Sequence, residues 1–117
     1  MHQHEKINYV EFPAQDMSVT KAFFSTVFSW EFTDYGPDYC AFSNAGLDGG
    51  FYKAPLSSSS ANGSCLVVFY SDELEQTLHK IETAGGHIIK PVFDFAGGRR
   101  FHFSDPNGNE FAVWSDS

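Results

Sequence analysis

The stretch that says most about the fold is Phe103-Ser104-Asp105-Pro106-Asn107-Gly108-Asn109-Glu110-Phe111. Its Asp-Pro-Asn-Gly centre is a strong turn signal, because Pro presets the backbone and Asn and Gly tolerate tight turns. Before the turn, Arg100 and His102 alternate with Phe101 and Phe103. The alternation is typical of β-strands. We therefore predict strands over 99–104 and 110–115 on either side of this turn.

The same order of elements is predicted twice along the chain. Each half reads as a strand, an amphipathic helix and three further strands, and turn signals separate the strands. Asp16 is the expected N-cap of the first helix, and Asp72 with Glu75 has the spacing of a capping box for the second. We predict a single domain over 1–117, with repeat one at about 7–53, a flexible linker at about 54–64 and repeat two at about 65–115.

The boundaries of the other predicted elements follow from periodicity and turn residues. Gly85-Gly86 should end the second helix, because a glycine readily adopts the left-handed conformation at a helix C-terminus. The remaining predicted strands cover 7–12, 30–35, 39–43, 49–53, 65–70 and 87–95, and the first helix ends at about Phe28.

Charge and composition exclude several classes of partner. The 117 residues include 7 basic and 15 acidic side chains, a net charge of −8. An acidic surface repels phosphate backbones, so nucleic-acid binding is not expected. The sequence has no apolar run of about 20 residues for a membrane span and no signal-peptide pattern, so we expect a cytoplasmic protein. Cys40 and Cys65 then stay as free thiols.

Several of these stretches resemble the vicinal-oxygen-chelate superfamily, which includes glyoxalase I, bleomycin-resistance proteins and extradiol dioxygenases. The resemblance rests on the segments 8–13, 22–30, 71–75, 84–91 and, most specifically, 103–111. It implies an α+β fold in which two β-α-β-β-β repeats form a concave, incompletely closed mixed sheet with helices on the outside. It also implies a small-molecule ligand and a homodimer, in which pocket residues could come from both chains.

The resemblance also implies where a divalent metal would bind. Family ligand positions fall on Tyr9, near Gly50, on Leu66 and on Ala112. None of these side chains is a good ligand for a divalent cation. No cofactor is therefore predicted, although a divalent metal is possible by family resemblance.

Strand parity places Glu11 on the same face as these family ligand positions. A carboxylate within an apolar strand would be buried, which favours its protonated form and suits a general base or a partner for a cationic ligand. The plainer alternative is a hydrogen-bonded or hydrated glutamate near the rim of the sheet. We name Glu11 as a candidate catalytic and ligand-binding residue.

A second group of candidates follows from the alternation in the seventh predicted strand. If its phenylalanines pack on a helix, Arg100 and His102 face a cavity, where the arginine could hold an anionic oxygen and His102 could transfer protons. An ion pair of the Arg100–Glu11 type is the structural alternative. Four aromatic side chains are predicted to line the walls of this cavity, with ordinary packing in the hydrophobic core as the alternative: Tyr9, Phe51, Tyr70 and Trp114.

These observations favour a protein that binds a small organic ligand in an aromatic-lined cup without a bound metal. The alternative is a metal-dependent or metal-free lyase, isomerase or dioxygenase, with Glu11 and His102 as catalytic groups. A third possibility is a structural or regulatory dimer module, whose cavity would be filled by phenylalanine side chains.

Overall fold

The computed structural model describes residues 2–117, and its first half is one βαβββ module. Pairing of the first strand begins at Tyr9, two residues later than predicted, because Ile7 lies in solvent with 84% of its surface exposed. The elements of this module are β1 (Tyr9–Ala14), α1 (Met17–Phe28), β2 (Glu31–Asp34), β3 (Tyr39–Ser43) and β4 (Asp48–Lys53).

The second half repeats this order after a linker that contains one short 3-10 turn, Ser60–Asn62. The prediction of two βαβββ modules in an α+β fold is confirmed. The elements of the second module are β5 (Val67–Tyr70), α2 (Leu74–Thr83), β6 (His87–Phe95), β7 (Gly98–Ser104) and β8 (Glu110–Ser115).

Each module forms its own four-stranded mixed sheet. Sheet 1 has the order β1-β4-β3-β2 and sheet 2 the order β5-β8-β7-β6. In both sheets the first strand of the module pairs in parallel with the last, and the other pairs are antiparallel. The first strand of each module is therefore an edge strand, and the two sheets are not closed into a barrel.

The helix termini agree with the prediction at three of the four ends. Asp16 caps α1, since its Oδ1 accepts hydrogen bonds from the backbone N–H groups of Ser18 and Val19 at 3.0 and 3.3 Å. The second helix ends before Gly85, which has a left-handed φ of 101°. The predicted capping box of α2 is wrong: Glu73 is the N-cap and its side chain makes no capping hydrogen bond.

A layer of aromatic rings joins the two modules. The Phe12 and Phe111 rings, one from each sheet, lie 5.1 Å apart between centroids. Helix α1 contacts both sheets, because Phe24 packs on Phe51 at 5.6 Å and Phe28 stacks on Phe69 at 4.2 Å. Since one ring cluster contacts both sheets, the modules share a single hydrophobic core.

The turn between β7 and β8 binds the first module through buried amide side chains. Asn107 Oδ1 accepts the backbone N–H groups of Gln15 and Asp16 at 3.1 and 2.9 Å, and its Nδ2 donates to the Thr20 hydroxyl. Asn109 Nδ2 donates to the Pro13 carbonyl at 2.7 Å. These two side chains therefore satisfy backbone groups at the junction of β1 and α1.

The same turn holds the linker, which the sequence analysis predicted to be flexible. Ser58 N–H donates to Asn109 Oδ1 at 2.8 Å, and Ser60 N–H donates to the Glu110 carboxylate at 2.8 Å. Linker backbone groups thus have specific partners in sheet 2. Asn109 and Glu110 come close to the serine run only in the folded protein. The composition of the linker therefore could not predict these hydrogen bonds.

Asp105 organises the turn from within. Its Oδ1 accepts the backbone N–H groups of Asn107 and Asn109, both at 2.9 Å. Burial raises the pKa of Asp105 to about 6, although these hydrogen bonds act in the opposite direction.

No helix among residues 2–117 is long and apolar enough to span a membrane.

We expect Asn109→Ala to lower the free energy of unfolding by roughly 2–4 kcal/mol, because the buried Pro13 carbonyl and the partly buried Ser58 N–H lose their partners. The measurement is urea denaturation followed by circular dichroism. Asn62→Ala is the matched control, since its exposed side chain donates only one 3.3 Å hydrogen bond. Equal losses for the two variants would contradict a special role for Asn109.

Candidate functional site

Strand alternation gives each sheet a core face and an opposite face, which we call the open face. Phe12, Phe51 and Phe111 lie on core faces, and each is buried. Phe51 is fully buried among aromatic rings, so it does not form a wall for a ligand as the sequence analysis expected. Its neighbour Gly50 lies on the open face, paired with Glu11 across β1 and β4.

Three side chains on the open face of sheet 1 form a hydrogen-bonded group, the tyrosine–glutamate cluster of Tyr9, Glu11 and Tyr39. The Tyr39 hydroxyl donates to Glu11 Oε2 at 2.8 Å and lies 2.7 Å from the Tyr9 hydroxyl. Glu11 is exposed, so the burial expected for it is not found. The plainer alternative, a hydrogen-bonded glutamate at the surface of the sheet, describes its setting.

Tyr39 is the member of this cluster that the sequence analysis missed. Burial first, and then its hydrogen bonds to Tyr9 and Glu11, raise the pKa of the Tyr39 hydroxyl above its ordinary value of 10.0. Its position depends on Gly50, because a Cβ there would collide with the Tyr39 ring and hydroxyl. The local sequence gives one sign of this arrangement. Gly50, opposite Glu11, has no side chain, so it leaves space that a side chain from another strand can fill.

A cavity of about 530 Å³ lies between the open face of sheet 1 and the linker. Glu11 lines it together with Tyr52 and Leu56, and the exposed Cys65 lies at its wall. Its volume is within the usual range for small-molecule sites. The remaining lining residues are Val10, Phe12, Pro13, Ser57, Ser58, Asn62, Ser64 and Val67.

The open face of sheet 2 carries a second polar group, the Arg100–His102–Glu110 chain. Arg100 Nη2 lies 3.0 Å from His102 Nε2, and His102 Nδ1 lies 3.0 Å from Glu110 Oε2. His102 and Glu110 are only 6% and 8% exposed. A guanidinium has only donors, so we assign His102 Nε2 as the acceptor of the Arg100 hydrogen bond and Nδ1 as the donor to Glu110.

Glu110 completes the chain as a carboxylate. Burial acts to raise its pKa, but hydrogen bonds from His102 and Ser60 outweigh burial and hold the pKa of Glu110 below its ordinary value of 4.5. Both nitrogens of the His102 ring are therefore engaged within the protein. This arrangement holds Arg100 in place and leaves His102 without a free nitrogen for a ligand.

Arg100 lies among aromatic rings. Its guanidinium carbon lies 5.8 Å from the Phe93 ring centroid and 5.5 Å from that of Phe95. Its Nε is buried without a hydrogen-bond partner in the described part of the chain. The Trp114 ring contacts Phe95 at 6.2 Å and Tyr70 at 5.1 Å, so these side chains form a continuous aromatic surface.

The structure does not bring the two groups together within one chain. No ion pair joins Arg100 to Glu11 among residues 2–117, and none of the cavities described for these residues is lined by candidates from both sheets. A cavity of about 410 Å³ does lie between the two sheets, with Phe12 and Phe42 on one side and Val68 and Tyr70 on the other, but Tyr70 is the one candidate among its lining residues. On the open face of sheet 2, Tyr70 is 52% exposed, whereas His102 and Ala112 are buried.

The side chains at the family metal-ligand positions do not fit a divalent metal. Tyr9 is hydrogen-bonded to Tyr39, the space above Gly50 holds the Tyr39 hydroxyl, and Ala112 is fully buried. Leu66 has no donor atom in its side chain. Residues 2–117 contain no group of three or more His, Cys, Asp or Glu side chains arranged to hold a metal ion.

Two βαβββ modules that share one hydrophobic core define a paired-module α+β fold. The chain belongs to the Glyoxalase/Bleomycin resistance protein/Dioxygenase superfamily, whose profile matches residues 6–113. Among curated relatives, the anthracycline biosynthesis protein DnrV of Streptomyces peucetius is 43% identical over 49 residues, or 41% of this chain and 18% of that protein. CFP32 of Mycobacterium tuberculosis, provisionally named a glyoxylase, is 25% identical over 92% of this chain and 44% of its own length.

Solved structures share the fold along almost the whole chain. The fosfomycin resistance protein FosX of Listeria monocytogenes has a TM-score of 0.79 at 19% identity and covers 98% of this chain and 96% of its own. A glyoxalase/bleomycin resistance protein/dioxygenase family enzyme of Burkholderia phytofirmans has a TM-score of 0.78 at 16% identity, over 94% and 98%. At these identities the likeness shows the fold alone. The chain spans less than half the length of the two curated relatives named above.

We expect ¹⁵N chemical shifts of the imidazole nitrogens to show the Nδ1-protonated tautomer of His102 at pH 7, because Arg100 can only donate to Nε2. In Glu110→Gln, one of the two accepting oxygens becomes an NH₂ group, which then faces either His102 Nδ1 or the Ser60 N–H. The Nδ1-protonated tautomer loses its stabilising acceptor in one of these orientations, so its population should fall. His79, which is exposed on α2, is the internal reference. An Nε2-protonated His102 in the unmodified protein would contradict the assignment.

Proposed function

We propose that this protein is a cytoplasmic, metal-independent binder of a small organic molecule. The observation that carries the proposal is the cavity of about 530 Å³ that Glu11 lines beside the tyrosine–glutamate cluster. A cavity of this size with a few polar groups on one side is typical of a ligand site. The family ligand positions carry no metal-binding side chains, which supports binding without a metal.

An enzymatic role as a lyase, isomerase or dioxygenase, with Glu11 and His102 as catalytic groups, has less support. His102 has both ring nitrogens engaged by Arg100 and Glu110. Glu11 lies on the other sheet and makes no hydrogen bond to Arg100, His102 or Glu110 in the described part of the protein. Turnover that disappears in Glu11→Gln while binding persists would favour the enzyme instead.

The test is a thermal-shift screen of the untagged protein against neutral, anionic and cationic small molecules, with and without EDTA. We expect at least one class to raise Tm equally in both conditions, because binding that needs no metal is indifferent to a chelator. Elemental analysis of the same sample should find no stoichiometric transition metal. About one tightly held metal per chain, or a shift that EDTA abolishes, would overturn the proposal.

We also propose that sheet 2, which carries the Arg100–His102–Glu110 chain, contacts sheet 1 of another copy in a homodimer. The open face of sheet 1 carries the acidic residues Glu31 and Asp48, whereas the exposed Lys90 lies on that of sheet 2, so these parts of the two faces are complementary in charge. A two-fold dimer would use both contacts at once. Tyr70, Arg100 and Trp114 would then line a second ligand site at this contact, separate from the tyrosine–glutamate cluster of Tyr9, Glu11 and Tyr39.

For this dimer we expect a sedimentation-equilibrium mass of about twice 13.1 kDa. Lys90→Glu should weaken association, because it replaces a positive charge by a negative charge opposite the acidic face of sheet 1. Lys80→Glu, which makes the same charge change on α2, is the matched control. A monomer at every concentration, or equal weakening by the two variants, would contradict the proposed interface.

A further inference from the structure

The direction of the hydrogen bonds in the tyrosine–glutamate cluster limits what it can bind. The Tyr39 hydroxyl gives its one proton to Glu11 Oε2, so its oxygen accepts the proton of Tyr9. Both phenol protons are therefore used within the cluster. Glu11 Oε1 has no hydrogen-bond donor among residues 2–117. The unused capacity of the cluster consists of acceptors and one negative charge.

The charges around the cluster point the same way. The open face of sheet 1 also carries the acidic residues Glu31 and Asp48, and its described strand positions include no Lys or Arg. Glu11 makes no ion pair in the described part of the chain, because all the ion pairs found there join other residues. A carboxylate without a protein cation, beside tyrosine rings, is the chemistry that recognises organic cations.

We propose that the tyrosine–glutamate cluster binds the ammonium group of an organic cation, whose apolar body occupies the cavity lined by Tyr52 and Leu56. This inference rests on the proposed ligand-binding function and names the class of ligand for that same site. Glu11 supplies the charge and Tyr39 is a positioning residue, because its hydroxyl holds the Glu11 carboxylate. Gly50 leaves the space that Tyr39 needs.

An inorganic divalent cation fits this cluster less well than an ammonium group. The cluster offers one carboxylate and two phenols, and a phenol must lose its proton to become a strong metal ligand. The Tyr39 proton is already used in the hydrogen bond to Glu11 Oε2. An ammonium group needs only a negative charge and hydrogen-bond acceptors, which the cluster has, and the Tyr52 ring at the cavity adds an aromatic side chain.

The test uses three probes of one shape, benzylammonium, benzyl alcohol and benzoate, in NMR titrations of the full chain. We expect benzylammonium to bind about ten-fold more tightly than benzyl alcohol, from the combined ion-pair and cation–π terms. Benzoate should bind least, because Glu11 repels its carboxylate. The shifted resonances should include Tyr39, Tyr52 and Leu56.

Three variants separate charge recognition from cavity filling. Glu11→Gln keeps the acceptor for Tyr39 and should remove the preference for benzylammonium over benzyl alcohol. Leu56→Ala removes apolar wall and should weaken both probes by the same factor. Glu82→Gln, which removes an exposed charge on α2, is the matched control and should leave both affinities unchanged.

Equal affinity for benzylammonium and benzyl alcohol would overturn the cation proposal, as would an equal effect of Glu11→Gln and Glu82→Gln. If the thermal-shift screen still finds metal-independent ligands, the proposed function stands and only the ligand class is wrong. If neither the screen nor the three probes bind, both proposals fail.

Discussion

The buried amide side chains of the β7–β8 turn are the interactions on which the rest of the structure depends. Asn107 and Asn109 join three segments that are distant in sequence: the end of β1, the start of α1 and the linker. Backbone groups at these places are buried away from their own secondary structure, so they need side-chain partners. One turn therefore sets how the second module sits on the first and where the linker lies.

The position of the linker has a direct consequence for function. Because Asn109 and Glu110 hold Ser58 and Ser60, the serine run is tied to the start of β8, and its residues Ser57 and Ser58 line the cavity beside Glu11. The aromatic core has a complementary effect. By burying Phe12 on the core face of β1, it leaves Glu11 on the face where this cavity opens.

Tyr39 explains how this family member differs chemically at one of the expected metal-ligand positions. Gly50 offers no side chain, and the Tyr39 hydroxyl occupies the space above it while it donates to Glu11. A neutral phenol and a carboxylate therefore meet where the family resemblance implied a ligand near Gly50. The polar chain of Arg100, His102 and Glu110 is similarly self-contained, since each His102 nitrogen has a protein partner.

The sequence alone determined the two modules, the Asp16 cap and the face on which Glu11, Arg100 and His102 lie. These features follow from periodicity and from residues with strong local preferences, which act over a few positions. Glycine and asparagine signals likewise located the turns. The order of elements then made the family resemblance visible in the sequence.

Only the tertiary structure decided the burial of Phe51, the exposure of Glu11, the partners of His102 and the role of Tyr39. Each depends on contacts between residues far apart in the chain, such as Tyr39 with Glu11 or Glu110 with the linker. Strand parity says which face a side chain is on, but what covers that face depends on how the sheets and linker pack. That packing is a long-range property, and no local pattern of residues encodes it.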